Sequence, residues 1–497
     1  MGDKKPTEEQ KLIFHYIDKR KENLLISARA GTGKTQTIVA GSSLLPKDKN
    51  IIFLAFNKHI QEELKGKLPE YVRCSTLHAL GFGAIRRKYG DDIQLDEFKI
   101  DKILKKKEKS WKLEEEIPDY LERRNYLNQL KKLIDLCRLT LTLDKKYIPY
   151  LAEKYDIRLS SPKEIKRILS VLEIDTNDKK TVDFTDMIYL PAIDPKIWLF
   201  PQDYIFLDEG QDISRAQQKM IEKLIKRNRK TGNIEGRLIV VADEFQNIYS
   251  FAGADSKSFE WFRKFPNTKE LPLTHTFRCG VNIVNEARKL VPDIKPMENA
   301  HLGIVREGNV VQEPIDGDFV LCRKTSPLVI LFFLYLLEGK KATIRGKDIG
   351  ISLLEMIEGH KTIGSLLAFW QNELKKFGNE LKKTGILDFE EHSGYSLLLD
   401  RINVIIFLSK LSKDIEDLKN KINIIFSDEI NGIMLSTVHK AKGLESDRVF
   451  IARPDLLPMR ATKAWQAEQE RNIHYVAITR ARHELIFDYK WTDETVI

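Results

Sequence analysis

The sequence has few cysteines and no long apolar run. Its four cysteines, among 497 residues, lie far apart without a CxxC pair or a cysteine–histidine cluster, which argues against a zinc site and a disulfide framework. The longest apolar run, residues 328–337, has about half of the ~20 residues that a membrane-spanning helix needs, and we interpret it as a buried helix. The first residues lack a signal-peptide core and a myristoylation pattern. These absences predict a soluble, intracellular protein without a membrane partner.

The composition is typical of a folded protein with several hydrophobic cores. Apolar residues make up 42% of the chain and aromatic residues 9%, unlike a disordered chain. At about 150 residues per domain, the length predicts roughly three compact units. Lysine and arginine number 82 against 73 aspartate and glutamate, a net charge of +9. This excess is a weak indication of a polyanionic partner such as nucleic acid.

Short apolar strands alternate with helical patterns, which predicts parallel βαβ units and an α/β fold. The first two strand candidates lie before residue 60. Two later candidates, residues 204–209 and 238–243, each end in acidic residues and are predicted to continue the same sheet. A later group of candidates suggests a second α/β domain. The strand candidates are residues 24–27, 51–56, 204–209 and 238–243 for the first domain, and residues 318–321, 433–436, 448–452 and 484–489 for the second.

Helical stretches interrupt both predicted domains. The first insertion is rich in lysine and leucine and shows no credible strand, and the second is shorter and mostly helical. A proline-containing stretch, residues 265–273, is interpreted as a linker. The predicted organisation is a first α/β domain in residues 1–90 and 181–265 with a helical insertion at 91–180, and a second in residues 266–345 and 422–497 with an insertion at 346–421.

The strongest local signal is a phosphate-binding loop. SARAGTGKT, residues 27–35, follows a strand candidate and precedes a helical pattern, which is the context that this loop requires. Its glycines let backbone N–H groups approach phosphate oxygens. Lys34 would reach the β and γ phosphates, and the Thr35 hydroxyl would bind Mg²⁺. The predicted nucleotide-binding residues of the loop are Ala28, Arg29, Ala30, Gly31, Thr32, Gly33, Lys34 and Thr35, with Ala28 in place of the usual first glycine.

Two further strand candidates run into polar loops. In YIFLDEGQD, residues 204–212, Asp208 is predicted to hold Mg²⁺ and Glu209 to orient or deprotonate the attacking water. In VVADEFQNIYSFAGAD, residues 240–255, Gln246 suits the sensing of a γ-phosphate or its water. Tyr249 and Phe251 offer stacking faces for bases, although spacing alone favours a place in the core.

Nine motifs, in this order, resemble those of UvrD/Rep-like superfamily 1 DNA helicases. They are TEEQ (7–10), SARAGTGKT, LAFNK (54–58), STLHAL (75–80), DEGQD (208–212), ADEFQNIYSFAGA (242–254), LTHTFR (273–278), STVHKAKGLE (436–445) and ERNIHYVAITRAR (470–482). LAFNK and TLHAL are closest to the branch that includes the F-box DNA helicase and small phage or bacterial relatives. The resemblance implies two RecA-like P-loop domains, each with a helical insertion.

The activity that the resemblance implies is Mg²⁺-dependent ATP hydrolysis coupled to movement along single-stranded DNA. The family implies 3′ to 5′ movement and unwinding of duplex DNA in replication, repair or recombination. The expected partners are single-stranded DNA and duplex junctions, with the protein acting as a monomer. The expected location is the cytoplasm or nucleoid, or the host cytoplasm for a phage-encoded protein.

The resemblance also implies roles for five residues around the nucleotide. Gln10 would read the adenine edge, Phe277 takes the place of a tyrosine that stacks on the base, and Glu445 matches a residue that contacts the ribose. Arg278 and Arg480 match the two arginines that the second domain presents to the γ-phosphate. Such cationic donors stabilise the charge that spreads during phosphoryl transfer.

For the nucleic-acid track, the resemblance points to residues that bind phosphates or stack on bases without reading sequence. The aromatic residue of LAFNK lies one place closer to the Asn-Lys pair than in the commoner pattern. IYSFAGA has Phe251 for tryptophan and Ala252 for arginine, which should weaken stacking. The predicted track residues are Phe56, Asn57, Lys58, Thr76, His78, Tyr249, Phe251, Thr437 and His439.

Three alternatives share part of this pattern. A P-loop small-molecule kinase would show GTGKT and a nearby carboxylate, but it would not need VAITRAR from a second α/β domain. An ATP-gated protein that translocates or displaces bound proteins while barely separating duplexes is a closer rival, because the second insertion is short. The third alternative is an RNA motor. No nuclease constellation is visible, and the sequence continues for about fifteen residues after Arg482, which predicts no fused C-terminal nuclease.

Overall fold

The computed structural model describes residues 5–249, 253–255, 257–383, 385–429 and 431–492. Its internal contacts divide the chain into two compact units. Unit 1 comprises Met1–Ala28 and Gly33–Leu273, and unit 2 comprises Arg29–Thr32 and Thr274–Ile497. Over the described ranges, every helix is too short or too polar to cross a bilayer.

Unit 1 contains a sheet of six strands, all parallel. They are β1 (Asn23–Ala28), β2 (Ile51–Ala55), β3 (Val72–Thr76), β6 (Tyr204–Leu207), β7 (Arg237–Ala242) and β8 (Thr268–Leu273). Their spatial order is β3-β2-β6-β7-β1-β8. Alternate strand residues face two separate cores, with Leu25 and Ile52 in one and Leu24 and Phe53 in the other. The four strand candidates of the first domain are thereby confirmed, and β3 was missed.

Helices cover both faces of this sheet, as a fully buried parallel sheet requires. The first helix begins at a capping box in which Thr7 and Gln10 satisfy each other's backbone N–H groups. The helices are α1 (Glu8–Lys19), α2 (Lys34–Ser42), α3 (Lys58–Lys65), α4 (Leu77–Tyr89), α10 (Asp186–Ile193), α11 (Arg215–Leu224) and α12 (Ser258–Arg263).

The first insertion forms a helical subdomain with a core of its own, in which Ile100, Leu133 and Val171 are buried. A two-residue strand, β4 (Gln94–Leu95), pairs in parallel with β5 (Thr181–Val182) where the chain enters and leaves the insertion. The prediction of no strand between residues 91 and 180 is wrong at this one pair. The helices are α5 (Lys99–Ser110), α6 (Leu113–Glu116), α7 (Tyr120–Thr140), α8 (Ile148–Lys154) and α9 (Pro162–Asn177).

A cluster of buried charges joins the insertion to the beginning of α10. The Lys99 ammonium lies 2.8 Å from Asp175 and 2.7 Å from Asp186. The Arg138 guanidinium lies 2.8 Å from Asp183 and 3.1 Å from Asp186. Burial, with the nearby Asp175 and Asp183, raises the pKa of Asp186 to about 7. Because these groups are removed from water, the cluster is stable only while each cation keeps its carboxylates.

The predicted linker at residues 265–273 is wrong, because most of it forms β8. This strand pairs with β1 from Asn23 opposite Thr268 to Ala28 opposite Leu273. Leu271 and Leu273 are buried while Pro272 between them is exposed, which is the alternation of a half-buried strand. Since β8 lies at the edge of the sheet, Pro272 costs no ladder hydrogen bond there.

Unit 2 contains a second parallel sheet of seven strands. They are β11 (Ile304–Glu307), β12 (Phe319–Cys322), β13 (Ala342–Arg345), β14 (Phe426–Ser427), β15 (Ile433–Thr437), β16 (Ser446–Ala452) and β17 (Ala481–Asp488). Their order is β11-β17-β16-β12-β15-β13-β14. A separate parallel pair joins β9 (His275–Thr276) to β10 (Lys295–Pro296). The predicted strands in β12, β15, β16 and β17 are confirmed.

The helices of unit 2 include the apolar run at residues 328–337. That run lies in a helix whose residues from Ser326 to Phe332 are buried, while Leu336 and Leu337 at its end are exposed. The buried-helix interpretation is therefore confirmed for the first part of the run. Helices of the second insertion contribute Ile402 and Leu418 to the core that surrounds Val320 of the sheet. The helices are α13 (Val281–Arg288), α14 (Ser326–Leu337), α15 (Lys347–Ile357), α16 (Ile363–Lys383), α17 (Ser393–Lys410), α18 (Ile415–Ile425) and α19 (Ala464–Ile478). With two parallel sheets flanked by helices, the predicted α/β fold class is confirmed.

Candidate active site

The predicted phosphate and metal residues of unit 1 meet at one edge of its sheet. In a parallel sheet the residues that follow the strands lie along the same edge. The Thr35 hydroxyl donates a hydrogen bond to Asp208 Oδ2 at 2.5 Å, and Lys34 Nζ lies 3.1 Å from Glu209 Oε1. Two motifs that are far apart in the sequence thus contribute one cluster of four functional groups.

Opposite charges hold this cluster together. Burial lowers the pKa of Lys34, but Glu209, Asp243 and Asp208 more than offset it, so its pKa lies above the usual value. Burial and the neighbouring Glu209 raise the pKa of Asp208 to about 6. The Thr35 hydroxyl and the Asp208 carboxylate are hard oxygen donors, which Mg²⁺ prefers. The donor set therefore fits a magnesium ion beside a cation suited to phosphate.

Two residues that sequence reasoning missed connect Gln246 to Glu209. The buried Gln211 donates from its amide to the Glu209 carboxylate and accepts the Asp243 N–H at 3.0 Å. Gln246 Nε2 donates to Asp243 Oδ2 at 2.6 Å. The sequence marks Asp243 as the acidic end of a strand candidate. It does not distinguish Gln211 from the other polar residues of DEGQD. Gln211 therefore holds one oxygen of Glu209 in place.

The phosphate loop has the backbone that its glycines predict. Gly31 and Gly33 have φ angles of 71° and 75°, in the left-handed region that favours glycine. Gly33 is also the N-cap of α2, so the N–H groups of the first turn are available to an anion. The Thr32 hydroxyl donates to the Arg29 carbonyl at 2.9 Å.

Residues Arg29–Thr32 make their contacts within unit 2. Arg29 forms a bidentate ion pair with Asp293, with N–O distances of 2.7 and 2.6 Å. The Ala30 N–H donates to the Tyr475 hydroxyl at 3.0 Å, and the Phe277 N–H donates to the Gly31 carbonyl at 2.8 Å. The middle of the loop is thereby held by defined backbone and side-chain contacts.

The Gln10 side chain is occupied by hydrogen bonds near the start of α1. Its Oε1 accepts the Thr7 N–H at 3.0 Å, and its Nε2 donates to the Thr37 hydroxyl at 3.0 Å. Thr37 lies in the first turns of α2. Gln10 is thus fixed against the helix that begins at the phosphate loop, with one amide hydrogen left for the predicted adenine contact.

In unit 2, Arg480 is a buried cation held by neutral groups. It is 1% exposed and donates to the carbonyls of Val476 and Leu444 at 2.9 and 3.0 Å and to the Thr479 hydroxyl at 3.2 Å. Burial, with Arg278 nearby, lowers its pKa to about 9. Across the described ranges it forms no ion pair. A buried charge without a counter-charge is costly, so this arrangement favours an anionic ligand.

Arg278 and the predicted ribose contact Glu445 form an ion pair in unit 2. Arg278 also donates to the Thr479 carbonyl at 3.0 Å, and Arg482 lies 3.0 Å from Glu445. Burial raises the pKa of Glu445, but the two arginines lower it by more, so the carboxylate is favoured. Arg278 and Arg480 both bond to Thr479, one through its carbonyl and the other through its hydroxyl, which brings the two predicted γ-phosphate contacts together.

The predicted track residues of unit 1 lie at the same sheet edge as the phosphate cluster. Phe56 follows β2 and is 39% exposed. A pocket is lined by Phe56, His78 and Asp208. Asn57 caps the first turn of α3 through its side chain at 2.9 Å, and Thr76 caps α4 at 3.1 Å. The start of each helix has further backbone N–H groups, a type of donor suited to phosphates.

The remaining predicted track residues differ in charge and placement. Lys58 is exposed at the start of α3. Burial lowers the pKa of His78 and lowers that of His439 well below its usual value, which favours the neutral form of both side chains. His439 follows the buried Thr437 at the end of β15 in unit 2. Tyr249 is half-buried, and Phe251 lies outside the described residues.

Comparisons with known proteins give matches that cover most of the chain. The UvrD/REP helicase N-terminal domain matches residues 7–267, and the UvrD-like helicase C-terminal domain matches residues 347–491. F-box DNA helicase protein 1 of Schizosaccharomyces pombe is 27% identical, over 97% of this chain and 57% of that protein. F-box DNA helicase 1 of Gallus gallus is 25% identical, over 98% and 49%.

A bacterial relative matches over nearly its whole length. The ATP-dependent DNA helicase Rep of Buchnera aphidicola subsp. Acyrthosiphon pisum is 24% identical, over 94% of this chain and 92% of that protein. The chain spans about half the length of the two F-box relatives. Since the N-terminal family domain alone covers more than half of the chain, the protein belongs to the UvrD/Rep helicase family.

Proposed function

We propose that the protein is an ATP-dependent DNA helicase that moves along single-stranded DNA. The observation that supports this most is the meeting of Lys34 and Thr35 with Asp208 and Glu209 at one sheet edge. Phosphate cation, metal ligands and water-activating carboxylate are the groups that ATP hydrolysis needs. The family of the chain and the names of its relatives favour DNA as the second substrate.

For ATP hydrolysis we assign each group a role. Lys34 binds the β and γ phosphates, Thr35 and Asp208 hold Mg²⁺, and Glu209 accepts a proton from the attacking water. Mg²⁺, when bound, neutralises charge on the phosphate oxygens. Arg278 and Arg480 donate to the γ-phosphate in the transition state. The predicted roles of Gln246 at the γ-phosphate and of Gln10, Phe277 and Glu445 around the nucleoside complete the site.

We further propose that the strand binds, in each unit, along the sheet edge where the predicted track residues of that unit lie. Phe56 and Tyr249 would face the bases, while the capped starts of α3 and α4 bind phosphates. Backbone contacts make the binding largely independent of sequence. Movement from 3′ to 5′, a preference for duplex junctions, action as a monomer and a role in replication, repair or recombination follow from the family resemblance. Unwinding of duplexes that carry either a 3′ or a 5′ tail tests the direction.

Glu209→Gln is expected to lower ATP turnover by at least about 100-fold, because the amide cannot accept a proton from water. Turnover of wild type and variant would be measured alone and with single-stranded DNA, single-stranded RNA or duplex DNA. Glu115→Gln, at a 72%-exposed position, is the matched control and should retain full turnover.

Strong stimulation of the wild type by single-stranded DNA, lost in Glu209→Gln, supports the proposal. Stimulation by RNA alone favours the RNA motor. DNA-stimulated turnover without strand separation favours a translocase that displaces bound proteins. Turnover that is indifferent to every nucleic acid contradicts the proposed function.

Gln211→Met is expected to reduce ATP turnover about tenfold, since it removes one hydrogen bond to a charged partner. The KM for ATP should stay near the wild-type value, because Gln211 positions Glu209 and does not touch the phosphates. Gln218→Met is the matched control: Gln218 is equally buried, and its amide bonds Arg215 and Asp255 instead. Equal losses of turnover in both variants, at equal losses of thermal stability, would show a merely structural role for Gln211.

A further inference from the structure

Two large aromatic side chains are exposed side by side in the segment between α10 and β6. Trp198 is 53% and Phe200 50% exposed, and their ring centroids lie 4.5 Å apart. Their neighbours Ile197 and Leu199 are buried in the core of unit 1. Burial alternates along residues 197–200, so the two aliphatic side chains pack inward while both aromatic rings stay at the surface.

One cation lies against the Phe200 ring, and two more exposed cations are close to these residues in the sequence. The Arg87 guanidinium lies 5.3 Å from the centroid of the Phe200 ring. Lys88 follows Arg87 in the exposed last turn of α4, and Lys196 is exposed two residues before Trp198. In the parts of the chain that the structure describes, none of these three cations forms an ion pair. We call Arg87, Lys88, Lys196, Trp198 and Phe200 the aromatic-basic surface.

This surface is separate from the track described above. The track residues Thr76 and His78 lie at the start of α4, whereas Arg87 lies in its last turn, and thirteen helical residues span about 20 Å. Likewise Asp208 follows β6, whereas Phe200 precedes it. The phosphate cluster lies at the carboxyl ends of the strands. The aromatic-basic surface therefore lies at their amino ends, on the opposite side of the sheet, and the proposed mechanism does not use it.

We propose that the aromatic-basic surface is a second binding site for single-stranded DNA. Trp198 and Phe200 supply stacking faces for bases, and Arg87, Lys88 and Lys196 bind phosphates, a combination that binds single strands of any sequence. The inference rests on the proposed function, because it takes DNA as the substrate. A strand held at the track and at this surface gains affinity, since the second contact forms at high effective concentration.

The experiment compares binding of short and long labelled strands by fluorescence anisotropy. A strand of about 10 nucleotides fills a site of ordinary size, and one of about 30 nucleotides can reach beyond it. The double variant Trp198→Ala/Phe200→Ala should bind the long strand about tenfold or more weakly, with unchanged affinity for the short strand. Its ATP turnover at saturating short strand should equal that of the wild type.

Two further variants test whether the effect is specific to the aromatic-basic surface. Phe98→Ala/Phe184→Ala removes two other aromatic residues of unit 1, 57% and 53% exposed, and should leave both affinities unchanged. Arg87→Ala should make the salt dependence of long-strand binding less steep. The negative slope of log affinity against log salt should decrease in magnitude by about 1, because one phosphate contact is lost.

Equal affinity of the Trp198→Ala/Phe200→Ala variant and the wild type for the long strand overturns the proposal. So does an equal loss for short and long strands, which would point to a general disturbance of unit 1. The double variant could instead bind DNA as the wild type does and bind an acidic, proline-containing peptide more weakly. That result would assign the surface to a protein partner. A wild type without DNA-stimulated turnover would instead contradict the proposed function, so the two failures are distinguishable.

Discussion

Lys34→Ala should reduce ATP turnover by at least about 100-fold, because the transferred phosphoryl group loses its main protein cation. Lys34 is also the cation that faces Asp208, Glu209 and Asp243. Its removal leaves three carboxylates at the sheet edge without the opposite charge. Turnover would be measured with saturating single-stranded DNA and Mg²⁺, and binding of the strand without ATP should be retained.

Two variants separate the chemical effect of Lys34 from an effect on folding. Lys34→Arg keeps the positive charge beside the carboxylates, so its thermal stability should stay near that of the wild type. Its turnover should still fall, because guanidinium and ammonium are not interchangeable in a fitted site. Lys19→Ala, at a 65%-exposed position, is the matched control and should retain full turnover. Appreciable turnover in purified Lys34→Ala would contradict the assignment of the loop.

Arg138→Met should destabilise unit 1 by about 3–5 kcal/mol, the usual cost of removing one partner from a buried ionic cluster. Arg138 is 1% exposed and contacts Asp135 on its own helix as well as Asp175, Asp183 and Asp186. Its loss leaves these aspartates with Lys99 as the remaining buried cation. Denaturant unfolding would measure the change in the free energy of unfolding. Hydrogen exchange in α7 and α10 would show where the stability is lost.

Controls on the same helix separate the charge effect from the loss of volume. Lys131→Met removes the ion pair with Asp101, 2.6 Å long but partly exposed, and should cost no more than about 1 kcal/mol. Adding Asp183→Asn to Arg138→Met should recover part of the lost stability, because neighbouring charges couple. A stability loss in Arg138→Met no larger than that in Lys131→Met would show that the cluster contributes little.

The candidate phosphate and metal residues could be proposed from the sequence because the signals for them are local. The loop around Lys34 needs glycines and a following helix, and Asp208 ends an apolar strand; both signals lie within about ten consecutive residues. The family resemblance, which the comparisons confirm, rests on the same short motifs. The structure then adds the Thr35–Asp208 and Lys34–Glu209 contacts.

Other features could not be predicted because they depend on distant partners. The stretch that contains Pro272 looks like a linker until β1 is found beside it. Gln211 donates to its sequence neighbour Glu209, but it also accepts from Asp243, which follows a different strand, and no local pattern reveals that contact. The exposed aromatic rings of Trp198 and Phe200 resemble core residues in the sequence, since only the packing of Ile197 and Leu199 decides their direction.

By itself, the sequence determined the α/β class, the order of the helicase motifs and the candidate nucleotide-binding residues, because each depends on residue type and short spacing. The tertiary structure alone decided which carboxylates share Lys34, which buried aspartates hold Arg138, and that Arg480 has neutral partners among the described residues. Those outcomes depend on strand order and on helix packing between residues far apart in the chain. Burial then fixes their charge states, and no local pattern records how deeply a side chain will be buried.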